Sequence, residues 1–136
     1  MKKTAMLLSS ALLSMNVVAS DLTGSWTLMS GEYIDGQGQV TNYQKKKLAA
    51  TKVLSDGNFS FITVSHQGEK PSFWAAGAGS YTAKNGIYTE TPEKASYPLE
   101  DGGVYKFQYK VEGDTWTKER FRDGKRVELE VWKRLD

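Results

Sequence analysis

The chain has 136 residues, no cysteine and one histidine, and its formal net charge is +2. This composition excludes disulfide bonds, thiolate metal sites, cysteine nucleophiles and zinc sites that need two histidines. With 25% charged and 39% hydrophobic residues, the chain is typical of one globular domain and unlike a disordered segment.

The first twenty residues have the pattern of a signal peptide. Lys2 and Lys3 precede a mostly apolar run over residues 4–18, and the small residues Ala19 and Ser20 suit a signal peptidase. We expect residues 1–20 to be removed and residues 21–136 to be a secreted, periplasmic domain without membrane insertion. Loss of two lysines leaves sixteen basic and sixteen acidic residues, so the mature domain lacks the charge of a nucleic-acid binder.

Short β-rich runs alternate with hairpin turns after this leader. Asp56–Gly57, Asn85–Gly86 and Asp123–Gly124 can reverse the chain because these residue pairs adopt positive φ at low cost. The pattern predicts eight strands, near residues 24–32, 47–54, 59–66, 73–82, 87–91, 104–111, 115–121 and 127–135. Such spacing predicts an all-β fold, an eight-stranded up-and-down antiparallel barrel whose interior can hold one small ligand.

Two connections are longer than the hairpin turns. They span residues 33–46 and 92–103, and either could be a lid at a barrel mouth or a solvated connector. Residues 75–80 are all alanine, glycine or serine, which favours a sharp bend or a close approach of two backbones in the predicted fourth strand.

The two ends of the predicted barrel carry a family resemblance. The first strand begins with Gly24-Ser25-Trp26, and the last ends with Trp132-Lys133-Arg134-Leu135. A Gly-x-Trp start with this ending resembles the lipocalins and the wider calycin superfamily. Residues 52–61, 77–81 and 88–90 are also similar to a group of small secreted bacterial lipocalin-like proteins. The resemblance implies a barrel floor built from Gly24, Trp26 and Arg134, with the arginine stacked on the indole.

The last strand has two possible orientations. Hydrophobicity alone favours placing Val127, Leu129 and Val131 inside the barrel. The resemblance instead requires Arg134 to face inward, and strand alternation then brings Glu130 with it. We adopt the second orientation, which requires a partner for the buried glutamate.

Several aromatic and acidic side chains are candidate wall residues of the interior. Alternation in the strand near 104–111 separates its tyrosines from its lysines, and Tyr88 shares a face with Glu90 in the preceding strand. Each single aromatic is more commonly a core residue than a ligand contact. The candidate ligand-binding residues are Trp74, Tyr81, Tyr88, Glu90, Tyr105, Tyr109, Glu130 and Trp132.

Three functions remain open from the sequence. The first is binding of a small apolar or aromatic molecule in the lumen, with no cofactor and no metal. The second is an isomerase or hydrolase that uses a luminal Glu90 or Glu130 with His66 or a tyrosine, which requires a carboxyl of raised pKa. The third is a structural or interaction domain whose barrel is filled with side chains. A connected cavity would distinguish the first two from the third.

Overall fold

Nine antiparallel strands form one sheet in the computed structural model, which describes residues 22–136. The strands are β1 Gly24–Ile34, β2 Val40–Asn42, β3 Leu48–Ser55, β4 Asn58–Ser65, β5 Ser72–Lys84, β6 Ile87–Ala95, β7 Tyr105–Glu112, β8 Thr115–Arg122 and β9 Lys125–Arg134. A single 3₁₀ turn, Asp101–Gly103, lies between β6 and β7 in this part of the chain. The predicted signal peptide, residues 1–20, lies outside the described residues.

The sheet closes into an eight-stranded barrel. Strands β3 to β9 pair with their neighbours in sequence order, and β1 pairs with both β3 and β9. The short β2 pairs only with the far end of β1 and lies outside this ring. The predicted all-β, up-and-down antiparallel barrel is therefore confirmed. Within residues 22–136 no helix is long and apolar enough to span a bilayer.

The seam between the first and last strands continues beyond their paired residues. Leu135 N–H donates to the Ser25 carbonyl at 2.8 Å, and Ser25 N–H donates to the Asp136 carboxylate at 3.0 Å. The register runs from Trp26 opposite Arg134 to Tyr33 opposite Glu128, with one irregularity between Leu28 and Ser30. This seam closes the ring of eight strands, which protects their backbone from pairing with other chains.

The two long connections differ from their predicted extents. The first, 33–46, contains the end of β1 and the strand β2, which the sequence did not predict. The second is shorter than 92–103, because β6 continues to Ala95. The β5–β6 register shifts there between Ala78 and Gly79, which leaves Glu93, the residue after Pro92, outside the pairing. Proline lacks a backbone N–H, so a strand accommodates it at such an irregularity.

The indole of Trp26 closes one end of the barrel. Trp26 is fully buried, and its Nε1 donates to the Leu22 carbonyl at 2.9 Å. The Arg134 guanidinium carbon lies 4.2 Å from the centroid of the Trp26 ring system, and Trp116 meets the indole edge-on at 5.3 Å. Stacking by a cation on one side and an aromatic edge on the other leaves no opening at this floor.

Aromatic rings fill the half of the barrel above this floor. Tyr88 is at the centre of the packing, with ring centroids 5.0 Å from Trp116, 5.7 Å from Tyr81, 6.0 Å from Phe107 and 6.4 Å from Tyr109. These distances are typical of favourable edge-on and tilted aromatic pairs. The closed half of the barrel is therefore a packed core.

Two strands approach closely at Gly79 in β5. A Cβ atom at this position would overlap the backbone of Thr91 and Pro92 in β6. Gly77, two residues earlier on β5, borders the Phe61 ring. A Cβ atom at Gly77 would lie 2.8 Å from this ring. The run of small residues in β5 therefore permits the close approach of backbones that the sequence predicts.

We predict that Gly79→Ala lowers the free energy of unfolding by about 1–3 kcal/mol, because backbone atoms must move to admit the methyl group. Gly36→Ala is the control, since a Cβ there meets no atom within 4 Å and the residue has no positive φ. It should change stability by less than about 0.5 kcal/mol. Urea denaturation measures both, and equal stability of the two variants would contradict the close approach.

Candidate functional site

A cavity of about 370 Å³ occupies the open half of the barrel. Its size falls within the range of small-molecule sites in proteins. The apolar part of its wall includes Leu28, Leu48, Ala50, Phe61, Phe107 and Trp132. The charged residues that line it are Lys52, Glu90, Glu100, Lys118, Arg120, Glu128 and Glu130. The cavity thus combines aromatic and aliphatic walls with an unusual number of charges.

Four buried charged side chains form the base of the cavity, and we call them the ionic cluster: Lys52, Glu90, Lys118 and Glu130. They come from β3, β6, β8 and β9. Lys52 forms an ion pair with Glu90, while Lys118 lies 3.0 Å from Glu130 and 3.9 Å from Glu90. With two ammonium groups and two carboxylates, the cluster is electrically neutral.

Neutral side chains complete the hydrogen bonding of the two glutamates. The Tyr88 hydroxyl donates to Glu90 Oε1 at 2.6 Å, and Trp132 Nε1 donates to Glu130 Oε2 at 2.8 Å. Buried carboxylates need such donors because they have lost their hydration. Tyr88 and Trp132 therefore link the ionic cluster to the aromatic core below it.

The ionic cluster keeps both of its carboxylates ionised. Burial alone would raise the pKa of Glu90, but the Lys118 and Lys52 ammonium groups, with hydrogen bonds from Lys52 and Tyr88, lower it to about 2. Burial would also raise the pKa of Glu130, but the Lys118 and Lys52 ammonium groups lower it. These carboxylates carry full charge at neutral pH.

The pKa values of the two lysines of the cluster shift in opposite directions. Burial lowers the pKa of Lys52, although Glu90 opposes this effect. Burial would also lower the pKa of Lys118, but the nearby Glu130 and Glu90 raise it above its usual value. Aromatic faces add to the stabilisation of both ammonium groups, since Lys118 Nζ lies 3.8 Å from the Phe107 ring centroid and Lys52 Nζ lies 5.2 Å from that of Phe61.

The loop of residues 96–104 lies across the mouth of the cavity. The Tyr97 ring reaches Phe61 on β4, at 6.2 Å between centroids, and the Tyr33 hydroxyl on β1 donates to Glu100 at 2.9 Å. The Glu100 backbone N–H donates to the hydroxyl of Tyr105 at 2.7 Å. Contacts to three separate strands hold this loop over the opening.

Two arginines on β8 add ion pairs to the same loop. Arg122 lies 3.1 Å from Glu100 and 3.4 Å from Asp101. Arg120 donates through Nη1 to Asp101 at 2.8 Å and through Nε to Glu128 at 2.9 Å. Arg120 therefore joins the loop at the mouth to a carboxylate inside the cavity.

Glu128 is the carboxyl group that differs from the others in the cavity. Burial raises its pKa to about 7, the negative charge of Glu130 adds to the effect, and Lys118 and Arg120 only partly oppose it. Glu128 is 14% exposed in its side chain, so it is largely removed from water. It gains and loses a proton near neutral pH, unlike Glu90.

The predicted site residues separate into two groups in the structure. Tyr81, Tyr88 and Tyr109 lie in the aromatic packing of the closed half and do not line the cavity. The residues that do line it are Trp74, Glu90, Tyr105, Glu130 and Trp132, with Trp74 at the rim and 43% exposed. Their role as ligand contacts stays a prediction.

The orientation chosen for the last strand agrees with the described geometry. Glu130 and Trp132 are buried and line the cavity, and Arg134 reaches Trp26. The partner required for Glu130 is Lys118.

Sequence reasoning missed the bases inside the barrel. Lys52 lies between the buried Ala50 and Leu54 in β3, and Lys118 is two residues from the buried Trp116 in β8. Strand alternation is therefore the signal that could have found both lysines. Tyr43, a further lining residue, lies against Gly31 of β1, where any side chain would collide with its ring.

The pairing of a luminal glutamate with His66 is absent from residues 22–136. His66 follows the end of β4, is exposed and does not line the cavity. The carboxyl with a raised pKa is Glu128, whereas the pKa values of Glu90 and Glu130 are lowered. Residues 22–136 also contain no group of three potential metal ligands.

We predict that Lys118→Met destabilises the protein by about 3–5 kcal/mol, because the buried Glu130 loses the base with which it forms an ion pair. The double variant Lys118→Met/Glu130→Gln should recover most of this loss, since its glutamine can still accept the Trp132 N–H. Urea denaturation near neutral pH measures both. A single variant as stable as wild type would show that the ion pair contributes nothing to folding.

A second prediction concerns pH. Because the pKa of Glu128 is raised from 4.5 to about 7, the folded state binds this proton more tightly than the unfolded state does. The resulting stability is complete below about pH 4.5 and is lost as the pH rises through about 7. Unfolding midpoints in urea, measured across this window, should show a decline in wild type that Glu128→Gln removes. An unchanged decline in the variant would assign it to another group.

Comparisons with known proteins add little to this geometry. No family model matches the chain, and no curated protein sequence matches it. Fatty-acid-binding protein 1 of Echinococcus granulosus is a solved structure of similar shape, with a TM-score of 0.47 and 12% identity over 85% of this chain and 98% of that one. Strand order and the seam between β1 and β9 themselves show a closed antiparallel barrel of eight strands.

Proposed function

We propose that this protein binds a small, largely apolar or aromatic molecule in the cavity of its barrel. The observation that carries the proposal is the connected cavity of about 370 Å³ between the ionic cluster and the loop of residues 96–104. Aromatic side chains fill the closed half, whereas the open half retains this space. A barrel that served only as a scaffold would gain stability by filling this space as well.

The walls of the cavity favour an apolar body for the ligand. Phe61, Phe107 and Trp132 present ring surface to the interior, and Leu28 and Leu48 add aliphatic surface. Removing apolar surface from water contributes about 25 cal/mol per Å², from which the cost of association must be subtracted. Polar groups at the base and mouth would orient the ligand within this apolar space.

An enzyme that uses Glu90 or Glu130 as its acid or base is less well supported. A general base or acid works best with a pKa near the working pH, whereas lysines lower the pKa of both of these groups. Each carboxylate is also already engaged by an ammonium group and by an aromatic donor. The function we propose is therefore binding, and not acid–base chemistry at Glu90 or Glu130.

We also propose that the barrel acts after export, in the periplasm. The support is the basic start and the apolar run of residues 4–18, followed by small residues at a cleavage position. Intact mass measurement of protein released from the periplasm of the expressing bacterium tests this. The mass of residues 21–136, or of a chain one residue longer, is expected, and the full-length mass would contradict the proposal.

We predict that Ala50→Phe weakens ligand binding by at least about tenfold, or about 1.4 kcal/mol, because the new ring occupies the cavity. Ala50 is buried on β3 and lines the cavity. The probe is N-phenyl-1-naphthylamine, a neutral aromatic molecule whose fluorescence rises in apolar surroundings. Titration of the purified protein gives the dissociation constant.

Ala49→Phe is the matched control for this experiment. Ala49 precedes Ala50 on the same strand but is exposed on the outer face of the barrel. The control should bind the probe as wild type does. Equal binding by both variants would place the probe outside the barrel, and absence of binding by wild type would count against the cavity as a binding site.

A further inference from the structure

The charges that line the cavity do not balance. Four glutamates and three bases line it, and at its mouth two arginines, Arg120 and Arg122, are shared among three carboxylates, so one carboxylate there is in excess: Glu100, Asp101 and Glu128. Each base already has a carboxylate partner: Lys52 has Glu90, Lys118 has Glu130, and Arg120 has Glu128. An anionic ligand would therefore have to displace a buried carboxylate from its base, which carries a large desolvation cost.

Among the buried glutamates of the cavity, Glu128 has the fewest hydrogen-bond donors to offset its negative charge. Its Oε2 accepts a hydrogen bond from Arg120 Nε at 2.9 Å, but the same guanidinium also donates to Asp101 at 2.8 Å. No other group among residues 22–136 donates a hydrogen bond to Glu128. One arginine is thus shared between two carboxylates, and Glu128 retains capacity for a further donor.

The groups that face Glu128 come from every neighbouring element. Arg120 and Lys118 on β8 oppose its negative charge, and Glu130 on its own strand adds to it. Tyr33 lies opposite it on β1 and uses its hydroxyl to donate to Glu100. Tyr33 therefore offers Glu128 an aromatic ring and no proton.

A second aromatic ring lies beside this position. Tyr43 packs against Gly31 of β1, and Gly31 is opposite Glu130 in the β1–β9 pairing. Both Tyr33 and Tyr43 line the cavity. An organic cation gains from a carboxylate and from aromatic faces together, and the gain increases when water is excluded.

We propose that the ligand carries a protonated amine on its apolar or aromatic body, and that Glu128 binds the ammonium group beside Tyr33 and Tyr43. This inference rests on the proposed function, since it assigns the ligand class of the same cavity. The ammonium neutralises the excess carboxylate. Lys52 and Lys118 repel it little, because each is already paired within the neutral ionic cluster.

Three small molecules with one common body test this inference: indole, tryptamine and indole-3-acetate. They are neutral, cationic and anionic, respectively, and displacement of N-phenyl-1-naphthylamine together with calorimetry gives their affinities for the purified protein. At about pH 8, tryptamine should bind at least about tenfold more tightly than indole, and indole-3-acetate should bind most weakly. Between about pH 8 and pH 6 the affinity of tryptamine should fall about tenfold, as a proton competes for Glu128, while that of indole stays constant.

Glu128→Gln is expected to reduce the affinity of tryptamine to that of indole and to leave indole unchanged. Arg120 keeps its bond to Asp101 in this variant, so the mouth retains its ion pairs. Glu119→Gln is the charge-matched control, because Glu119 lies on the outer face of the same strand as Arg120 and pairs with Arg126. It should bind all three molecules as wild type does.

The outcomes separate this inference from the proposed function. If the naphthylamine probe binds but tryptamine binds no better than indole, or if indole-3-acetate binds best, the amine assignment is wrong and the binding cavity stands. The amine assignment is also wrong if none of the three indoles displaces the probe. If neither the probe nor any indole binds, both proposals fail. The wild-type series and its pH dependence test the assignment even if Glu128→Gln does not fold.

Discussion

The neutral cluster of two lysines and two glutamates is the constraint on which the rest of the barrel depends. Burying four charges is unfavourable unless each one meets an opposite charge and a hydrogen-bond donor or acceptor. Here four different strands supply the charges, and Tyr88 and Trp132 supply the additional donors. Satisfying this group therefore requires β3, β6, β8 and β9 to bring these four side chains together inside the barrel.

The cluster also divides the interior into two parts with different chemistry. Below it, aromatic rings pack at distances typical of a core, down to the Trp26 indole and the guanidinium of Arg134. Above it, the wall residues leave space, and charges at the mouth join the loop of residues 96–104 to β8. A polar layer inside the barrel thus separates a packed aromatic core from a cavity.

Much of the architecture was predictable because the turns and the strand spacing are local signals. Asp56–Gly57 and Asn85–Gly86 lie at tight turns between neighbouring strands, and positive φ at these residues is what the turns require. The resemblance, not hydrophobicity, placed Trp132 inside. Hydrophobicity misleads in this barrel, since Phe121 is exposed while Lys118, three residues earlier on the same strand, is buried.

The residues of the cavity were harder to predict because they depend on distant partners. A lysine inside a barrel is favourable only when a glutamate from another strand is opposite it, and single-strand patterns contain no such information. Lys52 and Glu90 are 38 positions apart, and only the closed sheet brings them together. Similarly, Tyr43 enters the mouth because Gly31 lacks a side chain, which becomes apparent only once the β2–β3 connection is placed over β1.

The seam between β1 and β9 has a consequence for how the chain folds. Ser25 bonds to Asp136 across a separation of 111 residues, so the first strand obtains one of its two neighbours only when the last has been made. Chains dominated by such distant contacts fold slowly, because a large loop must close before the contact is gained. Until the ring closes, both terminal strands present unpaired edges to other chains, and the interval before closure is when this protein is most open to aggregation.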